Sequence, residues 1–566
     1  MSSSVKEMRL ASLLGWGSLT VTLIITDRVS TEPANLGKML VLSALGFGVL
    51  PLIYSNLRDV ARTNKQLILF SAIFLFISFT SIFASQNPFE RGFYGAFGRN
   101  TGFLSYFLLV IIFFAATSLK NDRSFEKILK SLFIGGLLNV IYCIIASTGN
   151  DIFTWQNPTT AALGTFGNPN FIGAFMGIFA GFLAVQLVKH LANKKVILAL
   201  IIILSLTIYV VYLSDALQGL LVSGFGVSAT LYFYLRSNAR FLKLSKAFLG
   251  SLVVLGIVGL LGVLNFGPLA RLLYKASITF RGEYWSAGLN MGFSHPFLGV
   301  GMDSYGIFYR TNRNESAVSL PGVDVTTDTA HNVVIDIFSG TGIIGAVSYL
   351  GITLIVLKFA LSYIRESRNF DPIFLSLFIP WLGYQLQSLI SINQLGLAIW
   401  GWLLGGSIIG YIQSRSTSTV PSTTSANVSK KNPKNSATEQ LLPAGIALAT
   451  FVAVVVGVLV ALPPFLADAK YRNIMTLKGD SNALINSAKS FPVDTVRLNR
   501  VVVTLANSGL NVLAADLAKF GTVKYPNDYA SWYSLYELAG PGTPDSEVYR
   551  KKLHKIDPFN SKYFDK

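Results

Sequence analysis

His331 is one of only four histidines in the chain and stands in Asp328-Thr329-Ala330-His331-Asn332, immediately before an apolar run. With a reference pKa of about 6.5, histidine is largely neutral near pH 7 and can take a proton from a hydroxyl. Earlier on the same polar stretch, Arg281 opens Arg281-Gly282-Glu283-Tyr284-Trp285. Arginine stays charged, presents a planar fork and binds phosphate bidentately. A fixed cation aimed at developing negative charge stabilises a transition state. Base and cation together suit the transfer of a group from an anionic leaving group to a hydroxyl. Asp328 could orient the His331 ring if the following helix already includes it. The bland alternatives are a histidine at a helix start and an arginine that, beside Tyr284 and Trp285, belongs to an interfacial aromatic belt.

These residues are embedded in a chain of 566 residues that is 52% hydrophobic and only 13% charged, with mean hydropathy +0.52. Soluble domains carry about 25% charged residues, so composition reads as an all-α, polytopic membrane protein. The formal charge of +18 is spread over short clusters between apolar runs. It therefore points to membrane orientation and not to nucleic acid. The single cysteine, Cys143, excludes an intrachain disulfide, and four scattered histidines argue against a multi-histidine metal site.

Thirteen apolar runs approach the roughly 20 residues needed to cross the hydrocarbon. The first ends near Thr26 and lacks a small-x-small cleavage site, so it reads as an uncleaved span. The others lie near 37–54, 66–84, 102–118, 128–147, 171–188, 196–213, 217–235, 247–265, 334–361, 372–392, 395–413 and 441–464. With a cytoplasmic N-terminus, every inside loop is basic, for example Arg58, Arg62 and Lys65, then Lys189, Lys194 and Lys195, then Arg236, Arg240, Lys243 and Lys246. The outside stretch from Ser147 to Asn170 has no Lys or Arg. This count makes 1–413 a multi-span domain and puts its long polar loop, about 266–331, outside. Residues 414–440, rich in Ser, Thr, Asn and Lys, read as a flexible cytoplasmic linker. A last span, 441–464, leads to an outside domain, 467–566. There Ala506 to Phe520 has helix-face spacing, and Tyr525-Pro526-Asn527-Asp528 and Ile556-Asp557-Pro558-Phe559-Asn560 read as breaks between helices. The pattern resembles tetratricopeptide-like helical hairpins, for which docking of a partner or acceptor is the natural role.

Within the long loop, Arg281 near Trp285 is followed by Pro296-Phe297-Leu298-Gly299-Val300-Gly301, then by His331-Asn332, then by Gly340-Thr341-Gly342-Ile343-Ile344-Gly345. Phe97-Gly98-Arg99-Asn100-Thr101-Gly102 and Phe166-Gly167-Asn168-Pro169-Asn170-Phe171 stand just before two spans on the same face. In this order the elements resemble those of the O-antigen ligase and polymerase superfamily over roughly residues 60–413. The resemblance implies a GT-C-like helical membrane fold and an inverting, metal-independent glycosyltransferase of the bacterial inner membrane. The donor would be a glycan on undecaprenyl diphosphate, a substrate and not a cofactor, and no cofactor is implied. The acceptor would be a glycan, lipid or protein hydroxyl. His331 and Arg281 become the catalytic pair, with Arg99, Asn168, Asn170, Gln218, Arg271 and Asn332 as substrate contacts. One departure is visible: the family's arginine is missing from Leu213-Ser214-Asp215-Ala216-Leu217-Gln218-Gly219, and Arg99, Arg271 or Lys275 is expected to replace it. Metal-assisted departure finds no Asp-x-Asp pair on the outer loops.

Simpler readings stand beside these. Asn168 and Asn170 could only cap the following helix, the 340–345 glycines read as close-packing sites, and His295 reads as structural. Ligation of a glycan, polymerisation of repeat units and protein O-glycosylation share this scaffold. A transporter would place polar groups deep in several spans, and an envelope scaffold would be indifferent to His331 and Arg281.

Overall fold

The computed structural model describes residues 3–155, 161–417, 443–477 and 480–564. Among these residues every regular element is helical, the solution expected where lipid offers backbone groups no hydrogen bonds. Each of the thirteen expected spans falls on a helix. Nine helices are long and apolar enough to cross a membrane by length and composition, and Phe103–Thr117 is apolar but shorter. The remaining three are Ser3–Leu23, which carries Lys6, Glu7 and Arg9, Leu217–Ser237, diluted by Gln, Ser and Gly, and Pro372–Ser388, at 17 residues. The expected linker 414–440 lies outside the described residues beyond Thr417.

The Leu395–Ser416 helix is buried along its whole apolar window and packs against Phe103–Thr117 and Pro372–Ser388, and Pro372–Ser388 in turn packs against the largely buried Pro169–Lys189. Ala239–Val263 and Ala444–Thr476 are almost entirely unburied and sit at the periphery. Buried polar side chains tie the central helices: Trp400 Nε1 donates to Thr22 Oγ1 at 2.8 Å, and Asn393 Nδ2 to Tyr106 Oη at 2.9 Å. Side-chain caps set several helix starts, Asn121, Asn193 and Asp371 each accepting backbone N–H bonds in the first turn.

The long loop is itself folded, into helices Ala270–Leu273, Ala276–Ser294 and Tyr305–Asn312. Its Pro-x-x-Gly-x-Gly segment docks into a break in the Val333–Glu366 helix at Gly342, where φ is +71°. Ile343 N donates to Pro296 O and Val300 N to Ser339 O, both at 2.8 Å. A Cβ on Gly299 or Gly342 would lie within about 2.4 Å of backbone atoms of the other segment. The two glycine motifs are therefore halves of one backbone-to-backbone contact.

After the last membrane helix, short helices Ser481–Ala488, Thr495–Asn507, Asn511–Lys524, Tyr529–Ala539 and Pro544–Ile556 form the C-terminal domain. The helix expected across Ala506–Phe520 is instead two helices, divided at Gly509 with φ +76°. A glycine can turn the chain there without the Cβ penalty that would otherwise favour continuation. The breaks expected at 525–528 and 556–560 are present. Loop and domain share a core, in which Ile307 packs with Leu498, Val501, Leu505 and Leu535. Arg310 and Arg313 both reach the fully buried Asp557 at 2.7 Å, and each also donates to Val323 O at 3.0 Å. Asp557→Ala leaves two buried guanidiniums unpaired and should cost about 3–5 kcal/mol. The expected readout is a lower unfolding midpoint in detergent and faster proteolytic release of the C-terminal domain.

Candidate active site

The Val333–Glu366 helix begins at Asn332, whose Oδ1 accepts the N–H groups of Val334 and Ile335 at 3.0 and 3.1 Å. Its Nδ2 donates to Leu389 O at 2.8 Å, fastening this start to the end of a neighbouring span. Asp336 Oδ1 reaches back to Ala330 N at 2.6 Å. Between these anchors His331 is held at φ +55°, a left-handed conformation that is uncommon outside glycine and that clusters at functional sites. The helix therefore excludes both His331 and Asp328, contrary to the reading in which Asp328 orients the ring from within it.

Asp328 instead pairs with Arg99, Nε to Oδ2 at 2.8 Å and Nη2 to Oδ1 at 3.0 Å. The Arg99 turn is shaped by Gly95 and Gly98, both with positive φ, and by Asp303, whose Oδ2 accepts Ala96 N–H at 2.7 Å and Thr101 Oγ1–H at 3.2 Å. Asn35 Nδ2 donates to Gly98 O at 2.8 Å and adds a third tether. Burial pushes the Asp303 carboxyl up, opposed by Arg91. Burial also opposes ionisation of Asp328, but the charge and hydrogen bonds of Arg99 outweigh it and hold this carboxyl below its ordinary value.

Arg281 lies on the Ala276–Ser294 helix with Tyr284, whose ring stacks on His331 with centroids 5.6 Å apart and planes at 30°. Tyr305 Oη donates to Tyr284 O at 2.6 Å, and Tyr309 packs edge-on to Tyr284, so this shelf is rigid. Burial brings the His331 ring down to about pKa 4, with the charges of Arg281 and Arg99 adding to the effect and Asp328 opposing it. Among the described residues Arg281 forms no ion pair with a carboxylate, and burial lowers its own pKa. His331, Tyr284, Arg99, Asp328, Arg91 and Phe97 line one side of a cavity of about 680 Å³. A neutral base, an uncommitted guanidinium nearby and a paired guanidinium in the wall can take up a proton and hold an anion.

Of the expected site residues, His331 and Arg99 line this cavity, Arg281 lies near enough for its charge to lower the His331 pKa, and Asn332 caps the helix that follows His331. Asn168 caps the Pro169–Lys189 helix by accepting Asn170 N–H at 2.9 Å, and Gln218 Nε2 donates to Asn170 O. Asn168, Asn170, Gln218, Arg271, Arg281 and Asn332 are not in the cavity wall. Lys275 sits where the family arginine is missing, its Nζ 3.4 Å from Asp215 Oδ1. Among the described residues no cluster of three or more His, Cys, Asp or Glu side chains could hold a metal ion. Sequence reasoning missed Tyr284 and Asp303. The Gly299–Asp303 turn, with two glycines before an acid, was the available signal for Asp303.

Residues 200–350 match the protein family described as O-Antigen ligase. The matched stretch holds Gln218, Arg271, Arg281, His331 and Asn332 and the Gly342 break, but not Arg99, Asn168 or Asn170. No curated protein matches the chain.

Because the folded-state pKa of His331 is depressed from 6.5 to about 4, the unfolded chain binds the extra proton more readily between those values, and stability falls as pH drops through that window. His331→Gln should lose less of its unfolding midpoint between pH 7 and pH 4.5 than the parent chain does. Equal losses would show that the imidazole is not held neutral.

Proposed function

With residues 200–350 in the O-antigen ligase superfamily, we propose that this membrane glycosyltransferase moves a glycan from undecaprenyl diphosphate to an acceptor hydroxyl, with inversion and without a metal. The observation that carries the reading is the placement of His331 at the cavity wall, stacked on Tyr284 and beside the Arg99–Asp328 pair; burial, with the charges of Arg281 and Arg99, lowers its pKa. His331 takes the proton of the acceptor hydroxyl as its oxygen attacks the anomeric carbon. The bond from that carbon to the diphosphate oxygen breaks, and the electron pair leaves with the diphosphate. A single displacement inverts the configuration. Arg281 holds the leaving group as its charge grows, which is where a preorganised cation contributes most. Arg99, fixed by Asp328, supplies a positive wall, and Lys275 supplies a cation beside the Ser214 turn.

The basic side chains at the far ends of the spans support an orientation with this site outside the cytoplasm. Lys189 and Arg236 close helices whose opposite ends carry Asn170 and Gln218, and Arg415 pairs with Asp122 away from the His331 end. The N-terminus is then cytoplasmic, and the C-terminal domain shares the outer face with the cavity. A cavity wall with hydrogen-bonding groups of both kinds suits a hydroxyl-rich glycan acceptor, as in ligation or repeat-unit polymerisation, better than a protein acceptor.

With lipid-linked donor and purified chain, His331→Ala should lower kcat by about 100-fold or more, the usual contribution of a positioned base. Arg281→Ala should lower it by about 100- to 1,000-fold, as loss of one preorganised donor does elsewhere. Retained transfer by His331→Ala sinks the base assignment, and abolition of transfer by a chelator sinks the metal-free mechanism. Bound diphosphate offsets the two arginines that depress His331 and so raises the pKa of the ring. The acid limb of kcat/KM for the donor should therefore fall near pH 4, and that of kcat at higher pH.

A further inference from the structure

The cavity has a second wall, and it belongs to the C-terminal domain. Thr495, Val496 and Asn499 come from the start of one helix, and Asp528, Tyr529 and Ala530 from the start of another. They face Arg99, Tyr284 and His331 across about 680 Å³. We propose that this wall is the acceptor subsite and that it receives the hydroxyl-bearing end of a glycan chain. The inference rests on the glycosyl-transfer reading of the same cavity.

Arg99 and His331 sit on the cavity wall contributed by the membrane-domain chain, with Arg281 near His331, and in the proposed reaction the donor's anomeric carbon comes in on that side. The surface across the cavity is then the one that must present the nucleophile to His331. Its chemistry fits an uncharged, hydroxyl-rich ligand: a hydroxyl on Thr495, an amide on Asn499 and a carboxylate on Asp528, while the neighbouring lining cation, Arg310, is already paired with Asp557 and lies on the Tyr529 ring. These groups are fixed in place. Asn499 Nδ2 donates to Asp528 Oδ2 at 3.0 Å, and Ser531 Oγ donates to Asn499 Oδ1 at 3.2 Å. Tyr529 is sandwiched, with the Arg310 guanidinium 3.9 Å from its ring centroid and Tyr533 stacked at 5.7 Å. The buried pairing of Arg310 and Arg313 with Asp557 holds the whole domain at this distance. A cavity of this size lies within the range of small-molecule sites, about 300–1,000 Å³. It admits the end of a sugar chain and not a folded protein.

The test uses the full chain in nanodiscs, a polyprenyl-diphosphate glycan as donor, and either an oligosaccharide or a serine-containing peptide as acceptor. Val496 is 37% exposed, so Val496→Trp fills the cavity side without entering the core, and Asn499→Ala removes a hydrogen-bonding group. Val523→Trp is the control, on the same domain, 78% exposed and outside the cavity. Both cavity variants should raise KM for the oligosaccharide by about tenfold, equivalent to one lost hydrogen bond, with donor KM and the control unchanged. Unchanged oligosaccharide KM, or a parallel rise in donor KM, overturns the proposal while leaving glycosyl transfer intact. Transfer to the peptide alone overturns the glycan assignment. Absence of transfer by the parent chain overturns both readings.

Discussion

One buried carboxylate sets the geometry of the His331 end of this protein. Asp557 is fully shielded and accepts from Arg310 and Arg313, so two cations meet one anion away from water. The excess positive charge is spread over Val323 O and the face of Tyr529. Buried pairs of this kind contribute little net stability once desolvation is counted, yet breaking them is costly because a lone charge remains. Their value here is positional. The Tyr305–Asn312 helix, which carries Arg310 and is followed at once by Arg313, begins just after the Pro296–Gly301 segment, and that segment lies in the Gly342 break of the helix that starts at Asn332. A rigid path therefore runs from the C-terminal domain to His331, and a cavity between the two can keep a fixed width.

The membrane half was legible because a span needs only an apolar run of sufficient length, and all thirteen runs became helices. Span positions and the lack of Lys and Arg in Ser147–Asn170 needed no tertiary information. Of the residues that the sequence singled out, His331 and Arg99 share a cavity wall, and Arg281 lies close enough to act on His331 by its charge. Their couplings were not legible in the sequence. Arg99 and Asp328 are separated by more than half of the membrane domain in sequence, as Arg310 and Asp557 are by the last span, and no local pattern marks either pair. The error at Asp328 has a specific cause: reading the helix as including 328 assumed continuous helical backbone through a residue that is left-handed at φ +55°. Gly509 shows the same weakness in milder form, since apolar spacing continued across a glycine that breaks the helix.

The two arginines near the base are held differently, and the difference divides the work between them. Arg99 has an ionised partner whose carboxyl is kept acidic by that very contact, so its position is settled before any substrate arrives. Arg281 has no carboxylate partner among the described residues, and burial makes its charge expensive. An anion arriving beside Arg281 relieves that cost, whereas beside Arg99 it would compete with Asp328. In the proposed reaction a diphosphate would therefore gain most from Arg281. The same event would offset the part of the His331 pKa lowering that comes from Arg281, while the larger part, from burial, stays. On that mechanism donor binding and base strength are coupled: the ring is a weaker base in the empty site than with the leaving group in place, which disfavours proton uptake before there is a bond to break.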